Sequence, residues 1–383
     1  MRTVYLDHNA TTPLDHDVRA AMLPFLGEFY GNPSSIHHVG QRARVAMDEA
    51  RERAATVWGC KPGEVTFTSG GTESNNLAVL GTARRLKGKG QHLITSSVEH
   101  HSVLKPMEHL VKAEGFTLTS VPVDMEGRVS PTDLQHAIRP DTILVSLMAA
   151  NNEVGTVQPV AELGAICRER GVLFHTDAAQ WFGKEPFTSI YQFNADLVTI
   201  CAHKFYGPKG VGALYIRSPF QPEPILCGGA QENERRAGTE NVAAIIGLVE
   251  AMERFLKPPA LAKAHLGPLR ERLVQLGHRT SHVRLCSPAT GCLTNTVSFV
   301  VEGTDATSIL AGLDLEGICA SSGSACSAGS LEPSHVLLAM GLDKDLARSL
   351  IRFSLGRDST STEMEVVEVV FPEVVRRTRL SCR

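Results

Sequence analysis

Between residues 64 and 216 the chain alternates short β-forming apolar runs with helical patterns, and each run stops on polar residues. The runs are Glu64–Ser69, His92–Ser96, Thr142–Met148, Val172–His175 and Leu197–Ile200; helical stretches such as LAVLGTARRL, SVLKPMEHLVKAEG, PTDLQHAIRP and Ala161–Arg170 separate them. Repeated strand–helix units need right-handed crossovers, so the pattern predicts an α/β fold with a mainly parallel sheet covered by helices. Ligands of such sheets bind beyond the carboxyl ends of the strands. Thr72, His100, Asn152, Asp177, Gln180, His203 and Lys204 all fall at those ends.

The rest of the chain reads as a smaller partner to this sheet. A helix is expected from about Gly40 to Trp58 and another over Glu240–Phe255, which ends at Lys257-Pro258-Pro259. Beyond it, helices near Leu266–Leu276, Thr307–Leu315 and His335–Met340, strands over Thr296–Val301 and Leu350–Leu355, and a last helix from about Thr362 form a second α/β unit. The expected division is a large domain over 15–255 and a small one made of 1–14 with 256–383. With 38 basic against 41 acidic residues, charge gives no argument for a nucleic-acid or membrane surface. No apolar run reaches the roughly 18–20 residues that span a bilayer, and Asp7 and His8 come too early for a secretory leader. Nine scattered cysteines, with no CxxC or HExxH spacing, fit neither a disulfide framework nor a zinc site, and point to a reduced, cytoplasmic setting.

Lys204 ends a buried strand behind His203, before the broken loop FYGPKGVG. It is either a lysine that points into solvent from a loop mouth or a desolvated amine able to attack a carbonyl. The turn Gly70-Gly71-Thr72 opens a helix and exposes free backbone N–H groups, an anion site that matches neither a Walker loop nor a GxGxxG finger. Taken as a set, the strand-end residues suit pyridoxal 5'-phosphate. A lysine amine bonds its aldehyde, an aspartate keeps its ring nitrogen protonated, a helix start holds its phosphate, and an imidazole moves protons beside the ring. Cys326, in the small-residue run SSGSACSAGS, is either an incidental loop thiol or a nucleophile that reaches the cleft.

The motifs FTSGGTESNN, SSVEH, ANNEVG, HTDAAQ, AHKFYGPKGVGALY, RRAGTEN, SSGSACSAGSLEPSHVL and IRFSLGR together resemble the NifS/IscS-type cysteine desulfurases, class V aminotransferases of fold type I. The resemblance runs from about Tyr5 to Arg357, and its cysteine stretch is similar to the group with the longer catalytic loop. It implies that Lys204 carries the cofactor, Asp177 pairs with the ring nitrogen, Gln180 bonds the ring hydroxyl and His100 lies over the ring. Thr72 and His203 become phosphate contacts, joined by Thr239 across a homodimer interface. Asn152, also a cofactor contact, and Arg352 become the holders of the substrate carboxylate. Cys326 becomes the thiolate that takes sulfur from L-cysteine as a persulfide and leaves L-alanine. The sulfur would pass on to an acceptor protein, an iron–sulfur scaffold or a tRNA-thiolation enzyme.

One departure concerns Cys201, which stands where many relatives have serine; a thiol is a weaker phosphate donor than a hydroxyl, and plain core packing is expected of it. The short basic end, Arg376 to Arg383, is expected to be a solvated tail, shorter than the one with which relatives dock an iron–sulfur scaffold. Selenocysteine lyase and a non-catalytic sulfur-carrier scaffold on the same fold are the competing readings.

Overall fold

The computed structural model describes residues 3–323 and 332–381. In chain order, β1 is Val4–Tyr5, β2 Val65–Thr68, β3 His92–Ser96, β4 Thr117–Val121, β5 Thr142–Ser146, β6 Leu173–Asp177, β7 Leu197–Cys201 and β8 Gly212–Ile216. Seven of these form one sheet in the order β2-β8-β7-β6-β5-β3-β4. From β7 across to β4 every pair is parallel, while β8 runs antiparallel to both neighbours. The reversal follows from the connection, since β7 reaches β8 through the loop after Lys204, with no crossover helix between. Every residue of β2, β3, β5, β7 and β8 is buried, as in a sheet covered on both faces.

The strand β4 is absent from the sequence expectation. It lies at the sheet edge, half-exposed, and its TLTSV lacks the apolar run that marks its neighbours. The helix expected after the Gly-Gly turn is present but uneven. Gly71–Asn76 is α-helical, Leu77–Gly81 widens into a π turn, and Thr82–Leu86 returns to α. The helix Val242–Phe255 packs along His38–Trp58 and His16–Met22, beside the large sheet.

The C-terminal unit is smaller. Strands β9 (Val283–Leu285), β10 (Thr296–Val301) and β12 (Ile351–Ser354) pair antiparallel in the order β12-β10-β9. Lys263–Arg279, Ala306–Leu315 and Ser361–Ser381 are its main helices, and Phe299, Phe353 and Phe371 cluster in its core. β11 (Ile318–Cys319) pairs in parallel with β1, and Asp7 bridges Ser354, so the N-terminal segment is held by this unit. Arg376 and Arg377 are exposed, in keeping with a solvated end, but they stand on a helix. The last helix runs on to Ser381, and Arg376 and Arg377 pair with Glu373 and Glu316 while Arg379 reaches the Glu302 carbonyl.

Among the described residues seven cysteines are free, and no group of His, Cys, Asp and Glu is arranged to hold a metal ion. No helix there is long and apolar enough to cross a membrane.

Candidate active site

A cavity of about 310 Å³ opens beyond the carboxyl ends of β5, β6 and β7. The helix starts that follow β2 and β3 bound it on one side; the N-terminal segment at Asn9-Ala10 and Arg352 of β12 close it on another. Eight sequence-predicted residues line it: Thr72, His100, Asn152, Asp177, Gln180, His203, Lys204 and Arg352. Thr239 is exposed and outside it, and Cys326 lies outside the described residues.

Asp177 is the last residue of β6, held there by a backbone turn and a neighbour. Its Oδ1 accepts the Ala179 N–H at 3.0 Å and its Oδ2 accepts Asn75 Nδ2 at 2.6 Å. Asn75 is a residue to which the sequence reading gave no role. Its second N–H goes to Ser102 Oγ at 2.8 Å, and Ser102 Oγ lies 2.7 Å from His100 Nδ1. The Ser102 N–H also donates to His100 Nδ1, because His100 caps the helix His101–Glu114. Two donors converge on Nδ1, so the neutral ring carries its proton on Nε2. Burial favours that neutral form by lowering the imidazole pKa, against the opposing pull of Asp177. His101, the neighbour, instead stacks against His335 with ring centroids 4.8 Å apart.

Lys204 ends a single 3₁₀ turn directly after β7. Its Nζ donates to the carbonyls of Asn9 and Ala10, each at 2.8 Å. Desolvation lowers its pKa and Arg352 adds to the fall, while Cys201, Asp177 and Asp7 oppose it. His203 is turned toward the N-terminal segment, with Nδ1 3.2 Å from Thr11 Oγ1. Burial, with Lys204 and Lys209 nearby, pushes its pKa down to about 3, so it is a neutral ring.

Cys201 departs from the expectation of plain packing. It is buried, but it lines the cavity, where Lys204 and the backbone N–H groups of Gly71 and His203 favour its thiolate. Burial nonetheless raises its thiol pKa, which keeps it protonated. Arg352 is fully buried, with two of its nitrogens engaged by the protein. It donates to Asp7 Oδ1 at 2.7 Å, to the Asn152 carbonyl at 2.8 Å and to the Gly323 carbonyl. Its Nε has no partner among the described residues.

Asn9 is the hub that the sequence reading passed over. Its backbone carbonyl accepts from Lys204 and from Gln180 Nε2, and its side chain bonds Asn295, Thr296 and the Asn152 carbonyl. It therefore ties the N-terminal segment, the large sheet and the small unit into one wall. A carboxylate, a nearby amine, and hydroxyl and backbone donors at the Gly71 helix start are the donor set a pyridine-ring aldehyde with a phosphate requires. The cavity volume falls within the range of small-molecule sites.

The model of the family described as Aminotransferase class-V matches residues 4–367. Cysteine desulfurase IscS of Dictyoglomus turgidum is 49% identical, over 99% of this chain and 96% of its own. Among solved structures, a NifS-like protein superposes with a TM-score of 0.91 at 37% identity, covering 98% of this chain and 100% of that one. A structure titled SspA in complex with cysteine superposes with a TM-score of 0.82 at 36% identity, covering 94% and 100%.

Proposed function

The chain belongs to the class-V aminotransferase family, and on that premise we propose that it is a pyridoxal 5'-phosphate-dependent cysteine desulfurase of the NifS/IscS type. The observation that carries the reading is the meeting of Lys204, Asp177 and His100 in one cavity, with a helix start to receive a phosphate. Bound pyridoxal phosphate supplies an aldehyde for a lysine amine and an electron-withdrawing ring that acidifies the substrate's α-carbon.

The chain's own residues divide the remaining tasks. Lys204 Nζ, its amine form favoured by desolvation, holds the cofactor and, once displaced by substrate, carries the α-proton. Asp177 is the counter-charge for a protonated ring nitrogen, held by Asn75 and the Ala179 N–H. His100, neutral with its proton on Nε2, is the acid–base group beside the ring. Thr72, His203 and Thr239 are assigned to the phosphate, the last from a second copy of the chain in a homodimer. Arg352 and Asn152 receive the substrate carboxylate, which would compete with Asp7 for the guanidinium. Cys326, as thiolate, attacks the substrate sulfur; the S–S bond forms as the C–S bond breaks, and the carbon skeleton leaves as alanine. We assign 15–255 to the cofactor-binding domain and 1–14 with 256–383 to the small domain, supported by the pairing of β1 with β11. The sulfur then goes to an acceptor protein in the cytoplasm.

The test is alanine release from L-cysteine by the purified protein, with persulfide counted on the chain. One persulfide per alanine in the first turnover, lost in Cys326→Ser, is the expected result. Turnover confined to L-selenocysteine, or unchanged in Cys326→Ser, contradicts it.

A further inference from the structure

Lys184 is 3% exposed, and neither of its hydrogen-bond partners is a carboxylate. Its Nζ donates to Asn9 Oδ1 at 2.7 Å and to Gln180 Oε1. Burying an amine without a counter-ion is costly, and an apolar side chain would fill the space at less cost. Packing alone does not account for it.

The local fold explains how the contact arises. After β6 the chain coils, with Phe182 N–H on the Ala178 carbonyl and Glu185 N–H on the Trp181 carbonyl. Gln180 and Lys184 therefore lie one turn apart on the same face. Gly183 has φ +75°, and a Cβ there would meet Phe205 Cβ at 2.6 Å, so glycine alone lets this turn press against the residue after Lys204.

The two partners of Gln180 fix its amide in one sense. Gln180 Nε2 donates to the Asn9 backbone carbonyl at 2.9 Å, a group that can only accept. Its Oε1 must then face Lys184, which donates. One Nε2 hydrogen remains, and Gln180 lines the cavity. We propose that Lys184 is a positioning residue that holds the Gln180 amide in the orientation that offers the cavity a hydrogen-bond donor, there for the ring oxygen of pyridoxal phosphate. The inference rests on the reading of the cavity as the site of that cofactor. Without Lys184, Oε1 is a buried acceptor with no donor, and the Asn9 carbonyl alone opposes a turn that would bring this oxygen, in place of the donor, to the cavity.

A double-mutant cycle on the full chain tests this, with pyridoxal phosphate titrated as the probe and the absorption band of the loaded protein recorded. Lys184→Met should weaken the cofactor's dissociation constant about tenfold, the loss of one buried hydrogen bond, and shift the band as Gln180→Ala does. Lys184→Met in the Gln180→Ala background should add nothing further to either readout. A Lys184→Met protein with lowered thermal stability but unchanged band and affinity, or one whose effect persists in full without Gln180, overturns the proposal. Should Lys184→Met not fold, Gln180→Glu leaves Lys184 in place and removes the donor. It should bind the cofactor less tightly than Gln180→Ala, and wild-type affinity would overturn the proposal. Wild-type protein that takes up no pyridoxal phosphate overturns the cofactor reading itself, whereas loaded wild type without coupling overturns only the role of Lys184.

Discussion

Lys204 and Lys184 both bond Asn9, one through its backbone carbonyl and the other through its side chain, and burial lowers the pKa of both. Lys204 lines the cavity, and its two partners are backbone carbonyls that it can give up for a ligand. Lys184 is sealed behind Gln180 and keeps its partners. The same division separates two carboxyl groups. Asp177 lines the cavity and is held by two donors, while Glu99 is buried behind it with one oxygen unpartnered among the described residues. Desolvation shifts both lysines and Glu99, but only groups that also face the cavity can act on a substrate; the sealed ones position or stabilise.

The sharpest way to break this contrast is to remove each lysine. Lys204→Ala should lose at least about a thousandfold in alanine formation and the absorbance of the bound cofactor, whereas Lys184→Met keeps a cofactor band. Equal loss in both would abolish the distinction. Next in size, Asp177→Asn should bind cofactor yet lose on the order of a hundredfold in kcat, because the counter-charge to the ring is gone. Steady-state kinetics of loaded protein check this.

Glu99 gives the corresponding test of a sealed acid. Burial raises its carboxyl to about 8 in the folded chain, against 4.5 for an exposed one. Between those values the folded chain keeps a proton that the unfolded chain has lost, so stability falls as pH rises through this window. Glu99→Gln carries no such proton. Urea unfolding at about pH 5 and about pH 8 should show the variant gaining on wild type by on the order of a few kcal/mol at the higher pH. Parallel curves would mean that Glu99 ionises freely. The smallest effect is at Cys201, whose sulfur lines the cavity. Cys201→Ser supplies a stronger hydroxyl donor and should tighten pyridoxal phosphate binding a few-fold, by equilibrium titration.

Much of this was readable in the chain because strand ends are local features. Asp177, Lys204 and His100 each follow an apolar run, and the parallel sheet then gathers them at one edge without further instruction. What stayed hidden depends on contacts distant in sequence. Asn9 lies in an extended lead-in, and nothing near it signals that it meets Asn295, Thr296 and Lys204. Asn75 was visible within FTSGGTESNN, but its link to Asp177 exists only once β2 and β6 share a sheet. Nothing in the residues around Lys184 signals that its amine is buried, because that burial depends on Gly183 packing against Phe205. The edge strand Thr117–Val121 carries little signal because Thr117, Thr119 and Ser120 break the apolar run.

The central claim is that Lys204 is the amine that holds the cofactor, and one measurement addresses it directly. Protein loaded with pyridoxal phosphate is reduced with borohydride, digested and mapped by mass spectrometry. The account predicts a pyridoxyl-phosphate adduct on Lys204 and none on Lys184. An adduct on Lys184, or loaded protein with no adduct on Lys204, would contradict it.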